Sequence, residues 1–330
     1  MLKVISDQAA IKKYAGQFAK KFKPFIGEVI KVKLGHQGAG FPAKVLWSKS
    51  LGIWKFSQTI KEVRYWNAFG VGRPEVPGVV SIASEINFPW AQIDRKTGGA
   101  FAEDAWGNVF AIHRGKIGGG KKGVGKLLFE HNYRGVWSFM EDGDSLSQVA
   151  VIGDLKSSRF ALQAAQFVKK IEILKSSAAA SIQTEMDFSE ITFREDLIGS
   201  STPSAEDEIV SACDHDLVVS ELAAQLRRQK IKIGNDTESE LFTVDPAENR
   251  IAHIFEVLTD TKEKNVLAAA AKLLLQTSAA ALNPIPVLIL PEDNLSHYEQ
   301  ELRRINIFVI GFHWQEEKVV FSGLEKIKFD

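Results

Sequence analysis

Hydrophobic and polar residues alternate with two different periods in the first half of the chain. In "DQAAIKKYAGQFAKKF", Ile11, Tyr14, Phe18 and Phe22 recur at helical spacing with lysines between them. A helical period returns in "SRFALQAAQFVKKIEILK", residues 158–175. The segments between them alternate from residue to residue and are rich in β-branched or aromatic side chains, which predicts strands. These segments are "FIGEVIKVKLG", "AKVLWSK", "IWKFSQTIKEVRYW", "GVVSIASEI", "NVFAIHRGKI" and "SQVAVIGDL". The pattern predicts an α+β domain over residues 1–175, mostly β-sheet with flanking helices.

Residues 176–208 show neither period. The segments "SSAAAS" and "GSSTPSAEDE" are serine-rich and acidic, with few side chains that could pack. We therefore predict a linker here, although "MDFSEITF" would also suit an edge strand.

The remaining chain, residues 209–330, alternates between helical and strand patterns. The predicted elements are the helix "LVVSELAAQLRRQ", the strands "KIKIG", "ELFTV" and "RIAHIFEVL", a helix over 262–278, the strand "PVLIL", the helix "EDNLSHYEQELRR" and the strand "NIFVIGF". The order αβββαβαβ predicts an α/β domain in which helices flank a mixed sheet.

Composition narrows the class of protein. The chain of 330 residues is long enough for two domains, and its single cysteine, Cys213, excludes an internal disulfide framework and a cysteine-based zinc site. The first residues are polar where a signal peptide requires an apolar stretch, and no apolar run approaches the length of a membrane span. We expect a cytoplasmic protein without a membrane partner.

The net charge of zero conceals an asymmetry between the two halves. Residues 1–175 hold 27 Lys and Arg against 14 Asp and Glu, a net charge of +13, and the rest of the chain carries the opposite charge. Such a difference suggests that the first half binds a polyanion such as nucleic acid. The alternative is that the two halves attract each other.

Carboxylates in the second predicted domain suggest chemistry. Over about residues 215 to 312, the element order and the segments "ELF", "FEVLTD" and "AAAAKLLL" resemble the restriction endonuclease-like PD-(D/E)XK nuclease superfamily. The resemblance implies that Glu240 and Glu256 hold a divalent metal, Mg²⁺ or Mn²⁺, and that Glu221 on the preceding helix assists. Where the family has a lysine two residues after the third-strand acid, this chain has Leu258.

Leu258 leaves two interpretations open. Hydrolysis of a phosphodiester needs charge stabilisation and a deprotonated water, which Mg²⁺ held by carboxylates supplies, and a nearby cation assists. Lys272 on the next helix could supply that cation, although it points away from the apolar stripe of the helix. Alternatively Lys272 is a solvated lysine, and the domain is a non-cleaving copy of the fold.

A glycine-rich segment, "HRGKIGGGKKGVGKLLFEHNYRG", also suggests ligand binding. Residues 120–126 fit the first part of the phosphate-binding pattern G-x-x-x-x-G-K, but Leu127 replaces its Ser or Thr, so a nucleotide-dependent switch is the weaker hypothesis. Glycines and cations also suit contacts to a phosphate backbone. The candidate DNA-binding residues here and in the preceding "INFPWAQIDRKTGG" are Arg95, Lys96, His113, Arg114, Lys116, Lys121, Lys122, Lys126 and Arg134. The other interpretation is a solvated loop with incidental charges, and for His113 a structural hydrogen bond.

These observations predict a modular restriction or defence endonuclease. The first domain would bind DNA, and the second would cut it with divalent metal, using Glu221, Glu240, Glu256 and Lys272. The resemblance further implies double-stranded DNA and a homodimer, because two strands need two sites. The rival from another class is a catalytically inactive DNA-binding or assembly protein.

Overall fold

The computed structural model describes residues 1–36, 38–118, 124–180, 191–245, 247–248, 250–279, 283–327 and 329. The chain divides into two compact units. The first contains Met1–Glu185 and Ser200–Cys213, and the second contains Met186–Gly199 and Asp214–Asp330.

This division differs from the predicted domains 1–175 and 209–330. The predicted linker, 176–208, is shared between the units, and a helix continues through its first residues to Ala180. The segment "MDFSEITF" lies partly outside the described residues, and residues 191–193 are not in a strand.

The first unit combines a barrel, a curled sheet and packed helices. Its elements are β1 (Leu2–Val4), α1 (Gln8–Lys21), β2 (Glu28–His36), β3 (Ala39–Ser48), β4 (Ile53–Ile60), β5 (Arg64–Val71), β6 (Val79–Val80), β7 (Ser84–Glu85), β8 (Phe88–Pro89), β9 (Gly99–Glu103), β10 (Val109–His113), α2 (Lys126–Asn132), β11 (Val136–Glu141), β12 (Leu146–Asp154) and α3 (Phe160–Ala180). Asp7 caps α1 by accepting a hydrogen bond of 2.8 Å from the Ala10 N–H. The predicted helices are confirmed, and "IWKFSQTIKEVRYW" is two strands because the chain turns at Glu62, where φ is 61°.

A closed barrel has the strand order β1-β11-β12-β10-β9. β1 closes it by pairing parallel to β11 and antiparallel to β9. The sequence pattern predicted β10 and β12 but not β1, because three residues are too short to show a period.

The second sheet of this unit has the order β6-β2-β3-β4-β5-β7. Residues 81–83 alone separate β6 from β7, which lie at opposite ends of this order, so the sheet curls around its own apolar side chains. Trp54 lies across Gly70, where an added Cβ would be 2.3 Å from the indole ring. On the other face, Phe18 of α1 packs edge to face with Phe69 and Phe88.

The second unit contains a mixed sheet between helices. Its elements are the larger part of α4 (Ile209–Arg228), then β13 (Lys232–Gly234), β14 (Leu241–Asp245), β15 (Arg250–Val257), α5 (Glu263–Ala279), β16 (Ile285–Pro291), α6 (Leu295–Arg304), β17 (Phe308–Gln315) and β18 (Lys318–Ser322). The sheet order is β13-β14-β15-β16-β17-β18, with β15, β16 and β17 parallel and the outer pairs antiparallel. The predicted order of elements is therefore observed, with β18 added.

Alternate residues of this sheet enter two separate apolar clusters. Leu241, Phe255 and Val257 pack with residues of α4, whereas Phe242 and Ile254 pack with residues of α5. Such alternation follows from the two-residue period of a strand and fixes which side chains can meet each helix. Within the described residues, no helix has the length and apolar composition needed to cross a membrane.

Candidate active site

Glu256 lies at the end of β15 and is only 8% exposed. It shares the strand face of Ile254, whose side chain packs with those of α5. Glu240 immediately precedes β14, and continuing the Leu241–Phe255 register places it opposite Glu256. The sheet therefore brings together the two carboxylates that the sequence assigned to one site.

Lys272 of α5 meets Glu256 directly. Its Nζ donates to both carboxylate oxygens, at 2.8 Å to Oε1 and 2.6 Å to Oε2. The Lys272 side chain remains 38% exposed, so it lies between the buried Glu256 carboxylate and solvent. The helical wheel placed this lysine away from the apolar stripe, but its long side chain reaches back to the end of β15.

His215 of α4 holds the other carboxylate, and the sequence analysis did not identify it. Its Nε2 lies 3.0 Å from Glu240 Oε1, and its Nδ1 lies 3.4 Å from Asp216 Oδ1. Glu240 Oε2 accepts a hydrogen bond of 3.3 Å from the Val257 N–H, next to Glu256. His215, Glu240, Glu256 and Lys272 are referred to below as the carboxylate cluster.

Burial and neighbouring charges shift the pKa values in this cluster. Burial, followed by the negative charge of Glu240, raises the pKa of Glu256 to about 7, although Lys272 acts in the opposite direction. Burial alone would lower the pKa of His215, but the charge of Glu240 and hydrogen bonds to Asp216 and Glu240 raise it to about 10. Burial opposes ionisation of Glu240 as well, yet His215 keeps the pKa of that carboxyl below its ordinary value.

Glu221 does not join this cluster. Its Oε1 accepts hydrogen bonds from Arg228 at 2.6 Å and from Gln225 at 3.2 Å, both within the same helix. Glu221 is six residues beyond His215, which turns its side chain by about 120° and shifts it about 9 Å along the helix. The helix contact predicted for Glu221 is therefore made by His215 instead.

Leu258, at the position where the resemblance would place a lysine, packs with apolar residues. It contacts the cluster that contains Val266 and Leu273 of α5, and its N–H donates to the Ile289 carbonyl at 2.9 Å. An ammonium group here would lie in an apolar environment, which is unfavourable without a partner.

Glu240 and Glu256 are the residues of the cluster that could hold a divalent cation. Among the described residues no group of three or more His, Cys, Asp or Glu is arranged to hold a metal. Mg²⁺ needs only one or two carboxylates because it retains waters and binds substrate phosphates. The two adjacent carboxylates are hard oxygen donors, and burial followed by the charge of Glu240 raises the pKa of Glu256, so a divalent cation would relieve their repulsion.

Two of the predicted DNA-binding residues are buried in the first unit, which corrects their assignment. Arg114 is 8% exposed and forms a two-pronged ion pair with Asp142, at 2.9 and 2.8 Å. His113 is 1% exposed, accepts from the Gly115 N–H at 3.1 Å and lies 3.3 Å from the Glu85 carbonyl. Burial lowers the pKa of His113 to about 4, so it is neutral and contributes to the core.

The other predicted contacts lie in different environments. Arg95 is 55% exposed and shares Asp142 with Arg114, at 3.6 Å. Lys116 donates to the Arg95 carbonyl, and Lys126 pairs with Glu130 at 3.3 Å. Lys96 is exposed and Arg134 is half-buried, whereas Lys121, Lys122 and Gly120 lie outside the described residues. Neighbouring acids thus already balance part of the charge predicted for this region.

We expect His215 to remain protonated through pH 8, because the Glu240 carboxylate stabilises the imidazolium. Nitrogen chemical shifts of the imidazole ring measured by NMR between pH 5 and pH 9 report this directly, with exposed His297 as an internal reference. The pKa of His215 should decrease in Glu240→Gln. A His215 that loses its proton near pH 6.5 in the parent would contradict the pairing.

Comparisons with protein-family models, curated proteins and solved structures found no match.

Proposed function

We propose that the second unit is a divalent-metal-dependent phosphodiesterase that cleaves DNA. The observation that carries this proposal is the carboxylate cluster, in which Lys272 contacts both oxygens of Glu256 and the charge of Glu240 influences the same carboxyl. Buried acids whose pKa values are perturbed by desolvation and by a specific charge partner are typical of functional sites. The resemblance to restriction endonucleases agrees with this assignment.

Glu240 and Glu256 would hold the metal. A bound Mg²⁺ would supply charge stabilisation at the scissile phosphate and a water of lowered pKa. Glu256 must lose its proton to serve as a ligand, and because its pKa is about 7 this occurs near neutral pH. His215 carries a positive charge and cannot ligate the metal, so it orients and neutralises Glu240.

Lys272 is the cation that replaces the missing family lysine. With a metal held by Glu240 and Glu256, the Lys272 ammonium, which contacts both Glu256 oxygens, would be the cation next to a phosphate oxygen bound there. The side chain of Lys272 is 38% exposed, so a substrate in solvent could reach it. A preorganised cation beside the developing charge stabilises the transition state, because little reorganisation is needed.

The test is cleavage of plasmid DNA and of a small phosphodiester, bis(p-nitrophenyl) phosphate, with Mg²⁺, Mn²⁺ or EDTA. We expect hydrolysis by the parent only with metal, and a loss of at least about 100-fold in Glu256→Gln, which cannot supply a charged ligand. Calorimetric titration with Mn²⁺ should show binding to the parent and none to Glu256→Gln.

Lys318→Ala is the matched control, since Lys318 is an exposed lysine of β18 in the same unit. It should retain parental hydrolysis and metal binding. Metal binding without hydrolysis of either substrate would contradict the enzymatic proposal, and absence of both would contradict the metal site as well.

A non-cleaving nucleic-acid-binding protein is the second candidate function. Its support is that each acid already has a cation, Glu240 with His215 and Glu256 with Lys272, and that Leu258 packs in an apolar cluster. Activity that is absent in the parent and restored by Leu258→Lys would favour this candidate.

A further inference from the structure

The outer face of β2 and β3 carries lysines that are distinct from the predicted loop. Along β2, Ile30, Val32 and Leu34 are buried, whereas Lys31 and Lys33 between them are exposed. On β3, Lys44 is exposed on the same face, because it is the direct cross-strand partner of Lys31. Lys31, Lys33 and Lys44 are called the lysine face.

Among the described residues no acid forms an ion pair with the lysine face. Lys31 and Lys44 are paired directly across the strands, and like charges in that arrangement repel each other. Within the described residues, none of the three lysines has an ion pair or a side-chain hydrogen bond. The outward-facing positions that flank them on β2 and β3 bear no carboxylate, since they are Val29, Gly35, Gly40, Pro42 and Leu46.

Small residues lie beside these lysines on β2 and β3, since Gly40 pairs with Gly35 and Pro42 pairs with Lys33. The aliphatic chain of Lys33 lies over Gly40, where an added Cβ would be 2.8 Å from Lys33 Cε. On the other side of β2, Val79 of β6 pairs with Lys33, and its Cγ1 would be 3.0 Å from a Cβ added at Gly35. A long polyanion could therefore approach Lys31 and Lys44 closely from the side of β3.

This face contrasts with the glycine-rich region. Arg114 and Arg95 share Asp142, and Lys126 pairs with Glu130, so acids compensate those cations. Uncompensated lysines lose no intramolecular partner when they bind phosphate. Release of counterions from the polyanion then contributes the full free energy of each contact.

We propose that the lysine face binds the phosphate backbone of duplex DNA. This inference rests on the proposed function, because it identifies the surface that would hold the substrate of that activity. Lys31, Lys33 and Lys44 make contacts that do not depend on base sequence, as expected for ammonium groups directed at phosphates.

The experiment measures binding of a fluorescent 20-base-pair duplex by anisotropy at several salt concentrations. The triple variant Lys31→Gln, Lys33→Gln, Lys44→Gln should bind at least about tenfold more weakly than the parent. The slope of log K against log [salt] is negative, and its magnitude should decrease by about 2 to 3, about one for each lysine lost.

A second triple variant, Lys12→Gln, Lys49→Gln, Lys61→Gln, removes the same charge from exposed positions of the first unit outside the lysine face. It should bind nearly as the parent does. Equal weakening in the two variants would show a general charge effect and overturn the inference. Unchanged affinity and slope in the first variant would also overturn it. Aggregation of the first variant together with unchanged affinity would mean that Lys31, Lys33 and Lys44 protect strand edges instead of binding DNA.

Three additional probes identify the partner. Preference for single-stranded DNA or RNA over the duplex, or binding only to vesicles with anionic lipids, would contradict the assignment to duplex DNA. Hydrolysis of bis(p-nitrophenyl) phosphate does not require this face, so it should be equal in the parent and both variants. Loss of duplex binding with retained hydrolysis in the first variant supports the inference. If the parent binds duplex through the lysine face but hydrolyses neither substrate, the inference stands and the proposed function is refuted.

Discussion

In a Lys272→Met variant, metal-dependent hydrolysis is expected to fall by about 10²- to 10³-fold, the range observed when a preorganised charge-stabilising group is removed. Methionine retains much of the length of the lysine side chain but lacks the ammonium group, with its charge and its hydrogen-bond donors. The Glu256 carboxyl would also lose the cation that now lowers its pKa, so the pKa of Glu256 should rise from its parental value of about 7. Activity should consequently begin to increase at a higher pH than in the parent.

Two measurements distinguish this role from a purely structural one. A rate profile from pH 5 to pH 9 should show the acidic limb displaced upward in Lys272→Met, with no displacement in Lys318→Ala. Carbon-13 NMR of labelled glutamate carboxyls should show the corresponding increase in the Glu256 pKa, even if turnover is undetectable. An unshifted Glu256 titration would show that the contact of Lys272 with both carboxylate oxygens does not control this acid in solution.

A Lys55→Met variant is expected to be more stable than the parent by about 2–3 kcal/mol at pH 7. Lys55 on β4 is 5% exposed, and the described residues provide its ammonium with no acid or hydrogen-bond acceptor. Burial lowers the pKa of Lys55 from 10.5 to about 8, which corresponds to about 3 kcal/mol favouring the neutral form. The faces of Phe18 and Phe22, with centroids at 5.5 and 5.1 Å, offset part of this cost.

The dependence on pH has a definite sign. The pKa of Lys55 is lower in the folded protein than in the unfolded chain. The buried ammonium therefore destabilises the folded state fully below about pH 8, and this effect disappears as the pH rises from about 8 to 10.5. The melting temperature of Lys55→Met should therefore exceed that of the parent at pH 7 and approach it near pH 10.5. Calorimetry at both pH values provides the test, with Lys12→Met as a matched exposed control. Destabilisation by Lys55→Met at pH 7 would mean that the ammonium has a favourable partner.

The sequence predicted features that depend on local periodicity. The helices α1, α3 and α5 and the order of elements in the second unit follow from the spacing of apolar residues. Glu256 could also be selected from sequence, because a carboxylate in the apolar segment "HIFEVL" needs a partner once it is buried. The partner is Lys272, which lies 16 residues further along the chain. A helical wheel places it on the side of α5 opposite the apolar stripe, so the wheel alone does not predict the contact.

Other features depend on contacts that no local pattern encodes. His215 follows Asp214 in "CDHD", a polar segment that resembles a helix start or a linker, and only the fold brings its ring to Glu240. Arg114 resembled a DNA contact because its neighbours are glycines and cations. Its partner, Asp142, lies 28 residues further along the chain, and burial removes both from the surface. Closure of the barrel by β1 is likewise a non-local pairing.

The division of the chain has a practical consequence for making either half alone. Residues 191–199 supply Phe193 and Ile198 to the apolar cluster of the second unit, and the Arg194 backbone exchanges hydrogen bonds with Asn235 at 2.7 and 2.8 Å. A gene fragment beginning at residue 209 would encode a unit that lacks these contacts and retains 209–213, which belong to the other unit. Because the path of the backbone alternates between the units, no single cut yields both intact. A second unit transferred to another protein would therefore need to carry residues 191–199 with it.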